Sequence, residues 1–473
     1  MEVESILKII VLVVGFYMAW NIGANDVSNA MGTSVGSGAL TIKRAVFLAA
    51  IFEFSGAFFV GANVSETMQK GLIDTSLFLS DPTLLIIGMC GALLGTSIWL
   101  QIASYFGWPV STTHAIVGSI LGFGALVGGL DAVQWEETLS IALSWVVSPV
   151  ISGIIAYLIF NTLQRNILFA MSPVDATRRF MPILMAIVSG TFTLSLIFNG
   201  LKNLDLFLSF PAAIGIALLV AALGALLTYL YFHKFRPKHD TCNISTPSPH
   251  ALISLHKAIK HLQRVQVSTY NDVHEQISKV LNQVRTVSSN LQQESGFISR
   301  TSDYQIVEKM FVWLQVLSAS FVAFAHGAND VANAIGPVAA VLDIIKQGTI
   351  METSVVPVWL LAFGGVGIVI GLATWGWRVI ETVGKKITEL TPTRGFCAEF
   401  GAATTILIAS KLGLPISTTH CLVGAVLGVG LARGIHAINL NILKEIVLSW
   451  IITLPTSALM SILFYYILKG IFL

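Results

Sequence analysis

The sequence is short of charge. Asp, Glu, Lys and Arg together make up 11% of its 473 residues, against roughly a quarter in soluble globular chains, and a soluble globular fold is thereby excluded. Cysteine is equally sparse. Cys90, Cys242, Cys397 and Cys421 are scattered, three of them in apolar segments; they supply neither a disulfide framework nor metal-ligand spacing, and read as small packing residues. A formal net charge of +2 leaves no excess of either sign to attract nucleic acid or an acidic protein, so no nucleic-acid partner is expected. The opening residues, "MEVESILKII", lack the basic n-region and small-residue cleavage site of a secretory signal. The first apolar run is therefore expected to stay in the protein as a membrane segment.

What the chain has instead is apolar length. Hydrophobic residues make up 55% of it, in recurring runs near 20 residues, each long enough to cross roughly 30 Å of hydrocarbon. Twelve such segments begin near Ile6, Ala45, Leu84, Thr112, Leu139, Met181, Pro211, Met310, Pro357, Phe396, Thr418 and Ile446. The expected fold is an all-α polytopic membrane protein with a lipid bilayer as its solvent. Between residues 233 and 309 the composition changes: six of the ten histidines and charges of both signs lie here. Val273, Ile277, Val280, Leu281, Val284, Val287 and Leu291 recur at helical spacing, which predicts an amphipathic helix paired with one over Ala251 to Val267. The chain thus divides into a membrane repeat over residues 1–165, two connecting membrane segments over 166–232, a soluble helical linker over 233–309 and a second membrane repeat over 310–473. Short-loop Lys and Arg residues favour a cell membrane location with the N-terminus outside and the linker cytoplasmic, since Lys43, Arg44, Arg165, Arg178 and Arg179, and later Arg378, Lys385, Lys386, Arg394, Arg433 and Lys444, then lie inside.

The two membrane repeats match each other. "GANDVSNAMG" (Gly23 to Gly32) returns as "GANDVANAIG" (Gly327 to Gly336), "GWPVSTTHAIVGSILG" as "GLPISTTHCLVGAVLG", and "SWVVSP" as "SWIITLP". Seven expected crossings precede the linker, so the second repeat enters the membrane from the opposite side. An inverted-topology repeat of this kind is the architecture of many secondary transporters, with the matching motifs meeting near the midplane.

Each motif has its own chemistry. The low-charge stretch from Ile6 to Ile42 would span about 55 Å as a straight helix, too long for the hydrocarbon. A break is expected within Asn21 to Asn29, where irregular backbone must be enclosed by protein or line a cavity. A carboxylate at that depth costs about 2.5–3.5 kcal/mol on insertion scales and calls for a partner or a cation. Asn25, Asp26, Asn329 and Asp330 supply hard oxygen ligands suited to a small dehydrated cation. In the second motif, Gly107 or Gly413 ends one helix and Ser111 or Ser417 caps the next. Thr112, Thr113, Thr418 and Thr419 follow, so two helix N-termini with three hydroxyls each offer a donor-rich pocket to an anion. His114 and His420 either donate to that ligand or orient the hydroxyls. Three further residues break the repeat: Glu53 and Glu399 stand opposite Ala362 and Leu93, and His326 stands opposite Ile22. These are candidates for ion coordination or proton coupling. A third echo, "VSETMQK" with "VIETVGK", reads as interfacial capping.

With its paired GAND and P-[VI]-S-T-T-H motifs, the chain resembles the inorganic phosphate transporter (Pit-type) family of sodium- or proton-coupled phosphate symporters, and the likeness covers both repeats. The resemblance implies a phosphate symporter with about twelve membrane segments, two inverted repeats with broken or re-entrant helices, and a homodimer. Carried residue by residue, it implies that Asp26 and Asp330, beside Asn25 and Asn329, are essential to transport, together with Glu53, Glu399, His326, Ser111 and Ser417. It implies that Thr112, Thr113, Thr418 and Thr419 line the phosphate site. Ser28 stands where the second copy has the small Ala332. No cofactor is expected beyond the coupling ion, sodium or alternatively a proton. The residues alone lead to an oxyanion or small polar solute moved with a cation; phosphate comes from the resemblance. A channel with two re-entrant loops would use similar parts, though clustered acids suit a closing site better than a permeant pore. An enzyme is not expected, since a catalytic Ser–His constellation rarely needs two symmetric copies.

Overall fold

The computed structural model describes residues 2–70, 72–108, 110–200, 208–234, 249–267, 271–297, 302–350, 356–377, 380, 390–434 and 440–473. Fifteen α-helices lie in these ranges: α1 Glu2–Gly36, α2 Ile42–Val60, α3 Ala62–Lys70, α4 Pro82–Phe106, α5 Thr112–Gly128, α6 Trp135–Leu163, α7 Pro173–Gly200, α8 Phe210–Lys234, α9 Pro249–Val267, α10 Asn271–Phe297, α11 Ser302–Gln347, α12 Val358–Gly371, α13 Pro392–Lys411, α14 Thr418–Arg433 and α15 Leu440–Phe472. Among the described residues there is no strand, only an isolated bridge between Ile73 and Val133.

Every one of the twelve expected apolar segments carries a helix, but the helices are not equal. Eight are long and apolar enough to cross a membrane, or nine if α2 and α3, bent by 68° where they meet, form one broken span. The helices α5 and α14 are shorter, and α13 carries Arg394, Glu399 and Lys411 within its 20 residues. The break expected inside the first GAND motif is absent. Both α1 and α11 run through their motifs as continuous helices of 35 and 46 residues. The reason is lateral: the amides and carboxylates of the motif find partners on neighbouring helices, so the backbone need not open to satisfy them. The breaks fall instead at Gly61 and in the turns before α5 and α14. Those turns follow the capping logic of their sequence. Gly107 and Gly413 sit at φ +68° and +70°, a left-handed conformation that glycine adopts without strain. Ser111 and Ser417 then accept from the backbone N–H of His114 and His420.

The chain forms two compact units. One comprises Met1–Thr162, Ile183–Leu226 and Phe311–Leu473. Its interior is filled by α1, α4, α11, α13 and the short helices, while α6, α8 and α15 present rows of exposed apolar side chains such as Leu139, Leu143 and Ile154, Leu218, Leu219 and Leu223, and Ile451, Leu459 and Leu463. Such continuous apolar exposure fits hydrocarbon rather than water. The other unit comprises Leu163–Pro182 and Leu227–Met310. Within it α9 and α10 form the expected helical hairpin, joined by Gln266 Nε2 donating to Ser278 Oγ at 2.8 Å, with Leu281 buried. Residues 235–248, with Cys242 and the start of the linker, lie outside the described residues, as do Pro109 and nearly all of "VIETVGK".

Candidate functional site

Close backbone contacts set the site. A Cβ added to Gly327 would lie 2.1 Å from the Glu53 carbonyl oxygen, and one added to Gly23 would lie 1.9 Å from that of Ile368. Glycine at the head of each GAND motif therefore lets a neighbouring helix touch backbone to backbone. The pairing also corrects the repeat. Ile368, not Ala362, stands opposite Glu53, because the connection from α11 to α12 is longer than that from α1 to α2 and a fixed spacing slips there. Glu53 remains without an acidic counterpart.

Around these contacts four ionisable side chains converge, all buried. His326 Nε2 lies 2.9 Å from Asp330 Oδ2 and 3.9 Å from Asp26 Oδ2. Its Nδ1 lies 3.3 Å from Glu53 Oε1. One atom each from Asp26, His326 and Asp330 fall within 4.8 Å of one another. The two GAND motifs, distant in sequence, thus share one centre, bridged by the residue that their symmetry does not explain.

The hydroxyl-bearing turns lie against this centre. Thr418 Oγ1 donates to Asp330 Oδ2 at 2.9 Å. Asn29 Nδ2 donates to Asp26 Oδ1 at 3.0 Å and to Thr419 Oγ1 at 2.7 Å. In the matching position Asn333 Nδ2 donates to Thr113 Oγ1 at 3.2 Å and Thr112 Oγ1 at 3.4 Å. Thr113 Oγ1 donates across to the Ile416 carbonyl at 2.9 Å. A hydroxyl has one proton to give. Thr113 and Thr418 direct theirs to protein acceptors and Thr112 lies in hydrogen-bond reach of Asp26, whereas Thr419 accepts from Asn29 and keeps a proton for an anion. Asn25 and Asn329 brace the turns, donating to the carbonyls of Val110 at 3.1 Å and Leu414 at 3.2 Å, and each bonds Ser104 or Ser410 at 3.1 Å.

Not every expected residue joins the centre. Glu399 lies apart, about 12 Å along α11 as measured by the rise from Ser318 to His326. Its Oε1 accepts from Thr33 at 2.6 Å, Ser34 at 2.7 Å and Gln315 at 3.2 Å, and its Oε2 accepts from Ser318. His114 and His420 face each other with ring centroids 4.4 Å apart and pack against Trp145 and Trp450. The "VSETMQK" stretch is more than an interfacial cap: Thr67 Oγ1 donates to the Gly413 carbonyl at 2.7 Å, bracing the second hydroxyl turn. Sequence reasoning left out Asn29 and Asn333, although both lie three residues after the motif Asp in both copies. It also left out Thr33, Ser34, Gln315 and Ser318, for which a single amide in an apolar run, Gln315, was the available signal.

Several buried acceptors here lack a hydrogen-bond donor: Asp330 Oδ1, Asn329 Oδ1, Asn333 Oδ1 and Glu53 Oε2. Among the described residues no Lys or Arg is buried. A dehydrated oxygen-rich centre without a fixed cation can hold a small hard cation, and the hydroxyls beside it can take an oxyanion once that cation offsets the charge.

The model of the phosphate transporter family matches residues 22–461. The chain belongs to the phosphate transporter family. A putative phosphate permease of Chlamydia pneumoniae is 47% identical over 98% of this chain and 99% of its own length. The chloroplastic inorganic phosphate transporter 2-1 of Arabidopsis thaliana is 43% identical over 99% of this chain and 73% of its own. A solved structure described as the sodium-dependent phosphate transporter superposes with a TM-score of 0.76 at 36% identity, over 98% of this chain and 99% of that one. This phosphate transporter is therefore a multi-pass membrane protein, and its polar centre lies where its own two GAND motifs meet.

Proposed function

We propose that this transporter imports inorganic phosphate in symport with sodium ions, using the centre formed by Asp26, Asp330, Glu53 and the hydroxyl turns before α5 and α14. The observation that carries the reading is the set of donor-free buried oxygens beside the Thr419 hydroxyl, which accepts from Asn29 and has its proton to give. Cations at the Asp, Asn and Glu oxygens lower the cost of seating an anion at Ser111, Thr112, Thr113, Ser417, Thr418 and Thr419. The sodium dependence named for the solved neighbour supports the choice of ion.

The two halves act as inverted repeats in this reading. Contacts exchange between them: Asn29 reaches Thr419 while Asn333 reaches Thr113, and Gly118 meets Leu454 while Gly424 meets Pro149. Swapped contacts of this kind are what a pseudo-twofold axis produces, and rocking about it would open the centre to either side. A homodimer in a cell membrane, with the N-terminus outside and the linker cytoplasmic, completes the proposal.

One observation favours a second reading. His326 touches carboxylates on both sides, an arrangement that can carry a proton in place of a cation. Labelled phosphate uptake into proteoliposomes separates the two. An inward sodium gradient should drive saturable phosphate entry at fixed pH; entry driven only by a proton gradient would favour the second reading. Entry driven by neither gradient would overturn the symport reading, and currents that do not saturate would point to a channel.

A further inference from the structure

The third repeated stretch, "SWVVSP" with "SWIITLP", has no part in the cation or phosphate chemistry described so far. Its two tryptophans are not used alike. On α6, Trp145 is buried, and its Nε1 donates to the Pro415 carbonyl at 3.1 Å. Its ring centroid lies 3.9 Å from that of His114, and its own carbonyl lies 3.4 Å from His420 Nδ1. On α15, Trp450 stacks on His420 at 3.4 Å and its carbonyl meets His114, a mirror of the Trp145 contacts, but its indole N–H has no hydrogen-bond partner.

The places Trp145 touches matter. Pro415 lies two residues before the capping Ser417, and the intervening Ile416 carbonyl accepts from Thr113. His114 follows Thr113 directly and supplies the N–H that Ser111 caps. One side chain on a third helix thus grips both hydroxyl-bearing turns, one from each half of the chain. An oxyanion held only by hydroxyls and helix ends is sensitive to the spacing between its donors, since a misplacement near 1 Å is enough to forfeit most of the benefit of preorganised groups.

We propose that Trp145 is a positioning residue for phosphate: through Pro415 and His114 it fixes the spacing between the starts of α5 and α14, and hence between Thr112 and Thr419. Trp450 has no such role: its ring meets His420 and its carbonyl meets His114, but its indole N–H bonds neither turn, whereas that of Trp145 ties α6 to Pro415. The proposal rests on the phosphate reading of those hydroxyls given above.

The test compares Trp145→Phe with Trp450→Phe in the full-length protein. It uses the KM and maximal rate of labelled phosphate uptake in proteoliposomes, and protection of the purified protein from thermal unfolding by inorganic phosphate. Trp145→Phe keeps a ring beside His114 and removes the N–H. Its KM should rise about 3- to 10-fold, the range expected for one lost buried hydrogen bond, with the maximal rate and the phosphate-free unfolding temperature little changed. Trp450→Phe should stay within about twofold of wild type on the same scale. An unchanged KM in Trp145→Phe, a fall in maximal rate alone, or equal rises in both variants would overturn the proposal. If Trp145→Phe does not fold, Trp145→Tyr, which keeps a polar donor on a smaller ring, takes its place: a raised KM supports the role and an unaltered one removes it. Wild-type protein that shows neither saturable phosphate uptake nor phosphate protection would instead overturn the phosphate reading itself.

Discussion

Two buried carboxylates of this protein live in different environments, and the difference sets what their loss should do. Glu399 accepts from four side chains on α1 and α11, so it ties those helices together. Replacing it with alanine strands four buried donors, each costing about 1–3 kcal/mol unless it finds another acceptor. Ser318 also donates to the Gln315 carbonyl, which softens the loss. Glu399→Ala should therefore lower stability by about 3 kcal/mol or more, read as a clear drop in the unfolding temperature of the purified protein in detergent. Among the described residues the Glu53 carboxylate has His326 as its side-chain partner, with Nδ1 at 3.3 Å from Oε1, and its Oε2 has no donor. Glu53→Gln should keep the unfolding temperature close to wild type while phosphate uptake falls. Asp26→Asn and Asp330→Asn extend the argument. Each preserves the shape of its side chain and the folded protein but removes a charge from the centre, and both are expected to abolish cation-driven uptake. Full uptake by both would remove the acids from the mechanism.

At the level of the helix, the decisive feature is how near neighbouring backbones come. Gly327 has the Glu53 carbonyl where a Cβ would go, so Gly327→Ala forces α2 away from α11 and carries Glu53 away from His326. Overpacking of this kind costs about 1–3 kcal/mol, and uptake should fall with it. Gly215, inside α8, has nothing within 4 Å of its Cβ position. Gly215→Ala should leave uptake intact and raise stability by about 0.5–1 kcal/mol; thermal unfolding of the two variants side by side checks both signs. The same contrast explains what could be read from the chain. Where helices start and stop is local, written in Gly107, Ser111, Gly413, Ser417 and the spacing of Val273 to Leu291, and these elements were legible. Whether α1 opens at Asn25 depends on Val110, Ser104 and Thr419, which reach it from other helices. A sequence cannot display those partners, so an expected break became a continuous helix. Asn29 and Asn333 were visible as repeated amides, yet their task of linking Asp26 to Thr419 and α11 to Thr113 exists only once the halves are packed.

For the whole molecule, the open question is the sense in which the halves are related. Five full spans precede residue 234, an odd number that fits inversion; with the bent α2–α3 pair there are six, and inversion then needs the short α5 as a seventh. The exchanged contacts argue for a twofold relation, and a twofold axis either runs along the membrane normal or lies in its plane. The two cases differ in one measurable respect. If the axis lies in the plane, the connection after α1 and the matching connection after α11 face opposite sides; if it runs along the normal, they face the same side. Lys43 and Thr349 are exposed residues in or beside those connections, and Cys90, Cys397 and Cys421 are buried, which limits background labelling. In a Cys242→Ser protein, Lys43→Cys and Thr349→Cys should react with a membrane-impermeant maleimide from opposite faces of oriented sealed vesicles, Thr349→Cys from the outside and Lys43→Cys only after the vesicles are opened. Labelling of both from one face would replace the inverted arrangement with a parallel one, and would move the opening and closing of the Asp26–His326–Asp330 centre to a different axis. Because His326 lies nearer Asp330 than Asp26, that axis cannot make the two acids equivalent, and under the proposed symport the cations would meet one half differently from the other.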